Sequence, residues 1–192
     1  MSRIKVFVGR NGFQVIGNGK TLTMTIYLYK YMMKTDYKVV ANYEVDFLEN
    51  FFESENYSEA LKEFEKTVIG IDELPSIISS YSGVSDKGNN FRNLLRQARK
   101  RDLIILTTAQ LINDVPAFMR RQNIDIYVVY KIHSDKSFCE YDQNKDCPYE
   151  DHYYLIMREG GQVKILSPHL KTNEGKIKNY FYNAYKSEEI IG

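Results

Sequence analysis

Cysteine is nearly missing: Cys139 and Cys147 are the only two in 192 residues. That excludes a disulfide scaffold, and with neither a CxxC pair nor a four-ligand pattern it argues against structural zinc. His133 and His152 lie near these cysteines in sequence, but the spacing is poor for a metal site and the segment reads as a surface loop. A disulfide there would fit a hyperthermophile source, where intracellular bridges occur. Long apolar runs are absent too. The stretches 103–106 and 127–130 fall far short of the about 18 residues that span a bilayer, and residues 1–8 lack a signal-peptide core. The expected location is the cytoplasm, the host cytoplasm if the source is a virus. Neither sign of charge prevails. With 26 Lys+Arg against 25 Asp+Glu the formal net charge is +1, so any basic binding surface must be local. Tryptophan is absent, while 16 Tyr with abundant Lys, Ile and Asn suggest an AT-rich genome.

What is present suffices for a packed core. The chain is 43% hydrophobic, 14% aromatic and 27% charged, which rules out disorder, collagen-like repeats and mucin-like stalks. Residues 3–8 (RIKVFV) form a β-branched run that stops at Gly9, a Gly-rich loop reaches Gly19, and a helix begins at Lys20. Within it Leu22, Ile26, Tyr29 and Met33 recur at helical intervals and predict one buried face. Residues 37–43 (YKVVANY) predict a second strand. The acidic, aromatic stretch 46–65 reads as a loop with one helix over 58–64, Ser58 being its N-cap. Residues 67–71 (TVIGI) predict a buried strand ending at Asp72-Glu73, before Leu74-Pro75. A loop over 79–90, a basic helix over 89–101, a strand over 102–107, a helix or turn over 114–122 and a strand over 124–132 follow.

Short apolar strands alternating with helices predict an α/β fold, a mainly parallel sheet between helices. Beyond a polar stretch over 134–150, segments 152–157 and 162–166 flank Gly160-Gly161 and predict a C-terminal β-hairpin extension. The expectation is a single domain over 1–192, with its core at 1–132 and the extension at 133–192.

A phosphate-binding loop needs glycines that let successive backbone N–H groups wrap an anion. It also needs a lysine for the β/γ-phosphates and a hydroxyl for Mg²⁺. Gly19-Lys20-Thr21 supplies the last part. The first glycine of G-x-x-x-x-G-K-[ST] should stand where the sequence has Gln14. Removing 12–16 or 13–17 leaves Gly9-Arg-Asn-Gly-Asn18-Gly19-Lys20-Thr21, which fits the pattern directly after the first strand. The segment reads as a phosphate loop carrying an insertion. A Gly-rich turn that happens to precede Lys-Thr is the alternative; the preceding strand and the partial positive charge of the following helix N-terminus favour the anion site.

The second half of a nucleotide site is an apolar strand with an acid at its C-terminal end, where open parallel sheets bind ligands. Residues 67–73 supply it. Asp72 would hold Mg²⁺ through its water shell, and Glu73, one residue on and pointing elsewhere, would accept a proton from the attacking water. Gln110, just beyond the 102–107 strand, stands where P-loop proteins with a strand inserted between the two motif strands contact the γ-phosphate or the water. A solvated acid ending a strand and an ordinary turn glutamine are the bland alternatives. Arg92, Arg96, Arg99, Lys100 and Arg101 sit on the predicted basic helix, where spacings of three and four put Arg92, Arg96 and Arg99 or Lys100 on one face, a stripe that is a solvated face, a DNA contact or a subunit contact. Arg120-Arg121 is the other candidate for an arginine acting in trans on a neighbouring subunit's nucleotide.

These residues resemble the FtsK/HerA-like group of P-loop ATPases, and within it the zonula occludens toxin-like proteins of filamentous phages and the DNA-packaging ATPases of archaeal viruses. Three passages carry the likeness: GNGKTLTMTIYLYKYMMKTDYKVVANYEV, VIGIDELPSIISSYSG and FRNLLRQARKRDLIILTTAQ. Together they span most of 1–132. The resemblance implies a P-loop NTPase of the additional-strand (ASCE, RecA-like) type. Gly9, Asn18, Gly19, Lys20 and Thr21 would then bind ATP, Thr21 and Asp72 would serve Mg²⁺, Glu73 would be the base and Gln110 the γ-phosphate sensor. It further implies a homo-oligomeric ring, often a hexamer, that moves double-stranded DNA or drives virion morphogenesis beside capsid or virion proteins. Two features depart from the group: the insertion in the phosphate loop, and the lack of the membrane-spanning helix usual after the toxin-like core. The latter favours a packaging motor over a membrane-bound extrusion factor. A non-catalytic nucleotide-binding scaffold and a conjugation or plasmid-transfer ATPase are the other readings.

Overall fold

The computed structural model describes residues 3–9, 19–48, 63–74, 86–121, 124–133, 153–159, 162–166, 170–171 and 177–178. In chain order these form β1 (Ile4–Gly9), α1 (Lys20–Lys34), β2 (Lys38–Ala41), β3 (Thr67–Ile71), α2 (Asp86–Gln97) and β4 (Ile104–Ala109). A 3-10 turn (Ile112–Asp114), α3 (Ala117–Arg120) and β5 (Asp125–His133) come next. β6 (Tyr153–Glu159), β7 (Gln162–Leu166), β8 (Leu170–Lys171) and β9 (Ile177–Lys178) complete the order. Seven strands share one sheet in the order β2-β3-β4-β1-β5-β6-β7. The five from β2 to β5 are parallel, so the fold is α/β as expected. β6 and β7 continue the sheet antiparallel from β5 as the expected hairpin, and β8 pairs with β9 separately.

The parallel strands are apolar on both faces because both faces are covered. In β1, Ile4, Val6 and Val8 join Ile69, Ile71 and Ile105 against Phe91, Leu95 and Ala98 of the α2 region and Met119 of α3. Phe7 points the other way, joining Val39, Val68, Leu106, Tyr127 and Val129 against Met24 and Leu28 of α1. Period-two alternation thus splits each strand between two cores. Gly70 of β3 lets α1 approach: a Cβ there would lie 2.8 Å from Leu28 Cδ1.

Lys5 is buried in the sheet's α1 face, with its Nζ 2.8 Å from Asp125 Oδ2 and 3.0 Å from the Tyr127 hydroxyl. Burial alone would depress this ammonium; its hydrogen bonds to Asp125 and Tyr127 outweigh that and hold its pKa above the ordinary lysine range.

Two local expectations need correction. The buried face of α1 is drawn by Met24 and Leu28, with Tyr27, Tyr31 and Met32 packed against the same core, not by the Leu22-Ile26-Tyr29-Met33 row. Leu22 and Ile26 are buried as well, because the first turns of α1 are enclosed, but Met33 is 62% exposed and Tyr29 packs edge-on against Phe47. The basic helix also begins and ends earlier than the expected 89–101, so part of the stretch read as a loop is helical. Packing of Phe91 and Leu95 into the core overrides the poor helix propensity of its first residues. Its end is set by the left-handed Asp102 (φ 55°) and by bonds from Arg101 N–H to the Gln97 carbonyl and from Leu103 N–H to the Ala98 carbonyl. Arg99, Lys100 and Arg101 therefore sit in a turn, and no single helix face carries the whole basic stripe. Ser58, Cys139, Cys147 and His152 lie outside the described residues.

Candidate nucleotide site

The topology decides where the candidate residues meet. β4 lies between β1 and β3, and β1 is flanked on its other side by β5, so the neighbouring strands β1 and β4 send the chain in opposite directions, β1 toward β2 and β4 toward β5. At the C-terminal ends of such strands a parallel sheet opens a crevice. Gly9 ends β1 there, with its N–H 3.2 Å from the Gln110 carbonyl. Gly19, in the left-handed conformation at φ 78°, caps the start of α1, and Lys20 and Thr21 form its first turn. Asp72 and Glu73 follow β3 and Gln110 follows β4, so all converge on one edge.

Thr21 Oγ1 donates to the Asp72 carboxylate at 3.0 Å and 3.2 Å. Thr108 Oγ1 donates to Asp72 Oδ1 at 2.6 Å. Asn42, just past β2, clamps the Asp72 backbone: its Oδ1 accepts the Asp72 N–H at 2.7 Å and its Nδ2 donates to the Asp72 carbonyl at 3.2 Å. Glu73 then turns away through a left-handed conformation (φ 56°), a position of backbone strain for a residue with a side chain. Its carboxylate meets Gln110 Nε2 at 3.2 Å, while Gln110 Oε1 accepts from Lys20 Nζ at 3.2 Å. Asp72 and Glu73, adjacent in sequence, thus face different partners. Lys20 is buried although it is charged.

Burial pushes the Glu73 carboxyl above the ordinary glutamate range. The Gln110 hydrogen bond opposes the rise, and the negative charge of Asp72 adds to it. A carboxylate held this way is a better base than an exposed one at neutral pH. The Thr21 hydroxyl and Asp72 carboxylate converge as a pair of hard oxygen donors, which fits Mg²⁺ shared with phosphates. Among the described residues there is no group of three or more His, Cys, Asp or Glu placed to hold a metal ion.

The structure therefore brings Gly9, Gly19, Lys20, Thr21, Asp72, Glu73 and Gln110 to one edge. Arg120 and Arg121 are exposed, at the end of α3 and in the turn after it, ahead of β5. β5 begins at Asp125 beside Lys5, toward the opposite edge of the sheet. Asn18 and the insertion lie outside the described residues. Arg92 stacks over the Phe118 ring, 4.8 Å from its centroid, while Arg96, Arg99 and Lys100 are exposed. Sequence reasoning missed Asn42 and Thr108. Both stood in the passages quoted above, but an Asn after one strand and a Thr within another carry no spacing signal.

No protein-family model matches the sequence, and neither does any curated protein. Solved structures do. The chain is similar to the N-terminal domain of zonular occludens toxin from Neisseria meningitidis, at 15% identity and a TM-score of 0.59, over 97% of this chain and 100% of that one. It is also similar to the genome packaging NTPase B204 from Sulfolobus turreted icosahedral virus 2. The complex of B204 with AMPPCP matches at 13% identity and a TM-score of 0.52, over 87% of this chain and 98% of that one. Its complex with ATP-gammaS matches at 13% identity and a TM-score of 0.50, over 88% and 100%. At such identities the likeness establishes the fold alone: the chain resembles these toxin-like and viral packaging proteins in its α/β architecture.

Proposed function

We propose that the chain is a Mg²⁺-dependent ATPase that couples ATP hydrolysis to movement of double-stranded DNA, in viral genome packaging or virion morphogenesis. The observation that supports it most is the line of contacts from Lys20 through Gln110 to Glu73, set beside the Thr21–Asp72 pair at the end of a sheet with β4 between β1 and β3. Lys20, at the N-terminus of α1, would draw the β- and γ-phosphates. Thr21 and Asp72 would hold Mg²⁺, which when bound neutralises charge on the phosphates. Glu73 would take a proton from a water whose oxygen attacks the γ-phosphorus as the bond to the bridging oxygen breaks and ADP leaves. Gln110, touching both Lys20 and Glu73, suits a sensor of the γ-phosphate. Arg120 or Arg121 would act in trans from the next subunit of a homo-oligomeric ring, a hexamer being the form the resemblance suggests. Their exposure leaves them available for it.

The nucleotide-bound complexes of B204 support a nucleotide as ligand, and the name of that protein supports the packaging setting. No helix among the described residues is long and apolar enough to cross a membrane. The test is steady-state Mg²⁺-ATP hydrolysis at high protein concentration, with and without double-stranded DNA. Turnover that rises with DNA is expected; turnover indifferent to DNA would leave an ATPase without the proposed coupling.

A further inference from the structure

We propose that Thr108 is a positioning residue whose single hydroxyl holds Asp72 and Glu73 to their separate tasks. Its catalytic consequence rests on the ATPase reading above; its geometry does not. Thr108 is fully buried in β4, the strand beside β3. A threonine hydroxyl has one proton to give and lone pairs to accept with. Here the proton goes to Asp72 Oδ1 at 2.6 Å, and the oxygen accepts the Glu73 N–H at 2.8 Å. The two bonds run in one direction, from the Glu73 amide through the hydroxyl to the Asp72 carboxylate, so neither partner competes for the same role.

The consequence is a brace across the point where the two acids diverge. Glu73 holds a left-handed backbone that its side chain disfavours, and the Thr108 bond ties its amide in that conformation. Asn42 clamps Asp72 from the β2 side through that residue's backbone N–H and carbonyl. Thr108 reaches both what Asp72 presents to Thr21 and what orients Glu73 toward Gln110. Branching at its Cβ within a strand limits its χ1 freedom, so the hydroxyl is aimed rather than free to rotate away. Hydrogen-bonded neighbours of metal-site groups in general cost about 10- to 100-fold in metal affinity or activity when lost.

Thr108→Val keeps the shape and removes the hydroxyl, and Thr108→Ser restores the hydroxyl. The first readout uses nucleotide-free protein: hydrogen exchange of the Glu73 amide, followed by NMR. Exchange about tenfold faster in Thr108→Val, and close to the unaltered rate in Thr108→Ser, is expected from loss of one buried hydrogen bond. The second is kcat, expected to fall about 10- to 100-fold in Thr108→Val and to recover in Thr108→Ser. Binding of a non-hydrolysable ATP analogue without Mg²⁺ should stay near its original value. If thermal melting shows Thr108→Val unfolded, Thr108→Ala takes its place. Unchanged Glu73 exchange in a folded variant would overturn the brace, and lost protection with unchanged kcat would overturn its positioning role. Absence of turnover in the unaltered protein would instead sink the ATPase reading, and the amide exchange would still decide the geometry.

Discussion

Glu73 combines a strained backbone, partial burial and a raised pKa, and each has a measurable counterpart. Glu73→Gln keeps the shape and the neighbouring Gln110 but removes the base, so kcat should fall by about 10²- to 10⁴-fold while nucleotide affinity is retained. Activity needs the carboxylate, so it should decline as pH falls through the folded-state pKa. Because burial raises that pKa, the acid limb of the kcat profile should lie above the value of a free glutamate. The sign for stability is opposite to that of a salt-bridged acid. In the unfolded chain Glu73 ionises at its ordinary pKa, so at neutral pH the folded protein bears the cost of a partly desolvated charge. Thermal melts should show Glu73→Gln more stable than the unaltered protein at neutral pH, with the difference fading as pH drops below the unfolded pKa. An unchanged or lower melting temperature at neutral pH would contradict the burial account. At the other edge, Lys5→Ala leaves Asp125 and the Tyr127 hydroxyl without their buried cation and should cost about 3 kcal/mol in denaturant unfolding.

Among the elements, β3 and α1 depend on each other through Gly70. Gly70→Val would force a branched side chain into Leu28 and should cost about 1–3 kcal/mol, whereas Gly70→Ala asks only that the Leu28 methyls give way and should cost less. Unfolding free energies for the two variants, compared directly, check the order. β1 and β3 were legible in sequence because each is a short, largely apolar run buried on both faces, and Asp72-Glu73 was legible because it ends such a run. The order of strands was not, since nothing in a buried run says which neighbour it pairs with; the resemblance supplied the inserted strand. The extent of α2 was misjudged because its first residues favour loops while Phe91 and Leu95 anchor it by tertiary packing. Asn42 and Thr108 were hidden for a plainer reason: their roles exist only once β2 and β4 lie on either side of β3. Deleting residues 13–17, which restores the uninterrupted phosphate-loop pattern, should raise ATP affinity or basal turnover; loss of both would make the insertion part of the site.

For the whole molecule, the exposed arginines are the point at which a second copy enters the account. Arg120 and Arg121 are exposed at the end of α3 and in the turn after it, where a second copy of the chain could meet them. Arg120→Ala or Arg121→Ala should lower turnover by about 10³-fold while sparing nucleotide binding, and mixing with Lys20→Ala subunits should restore part of the activity. Unchanged turnover in both would remove this pair from the mechanism. The central claim is that Lys20, Thr21, Asp72, Glu73 and Gln110 form a working hydrolytic site. Its most direct test is Mg²⁺-ATP turnover of the unaltered protein beside Glu73→Gln, with ATP binding measured on both. The account predicts turnover that is lost in the variant although ATP still binds. Equal turnover in the two, or ATP binding with no turnover in either, would contradict it.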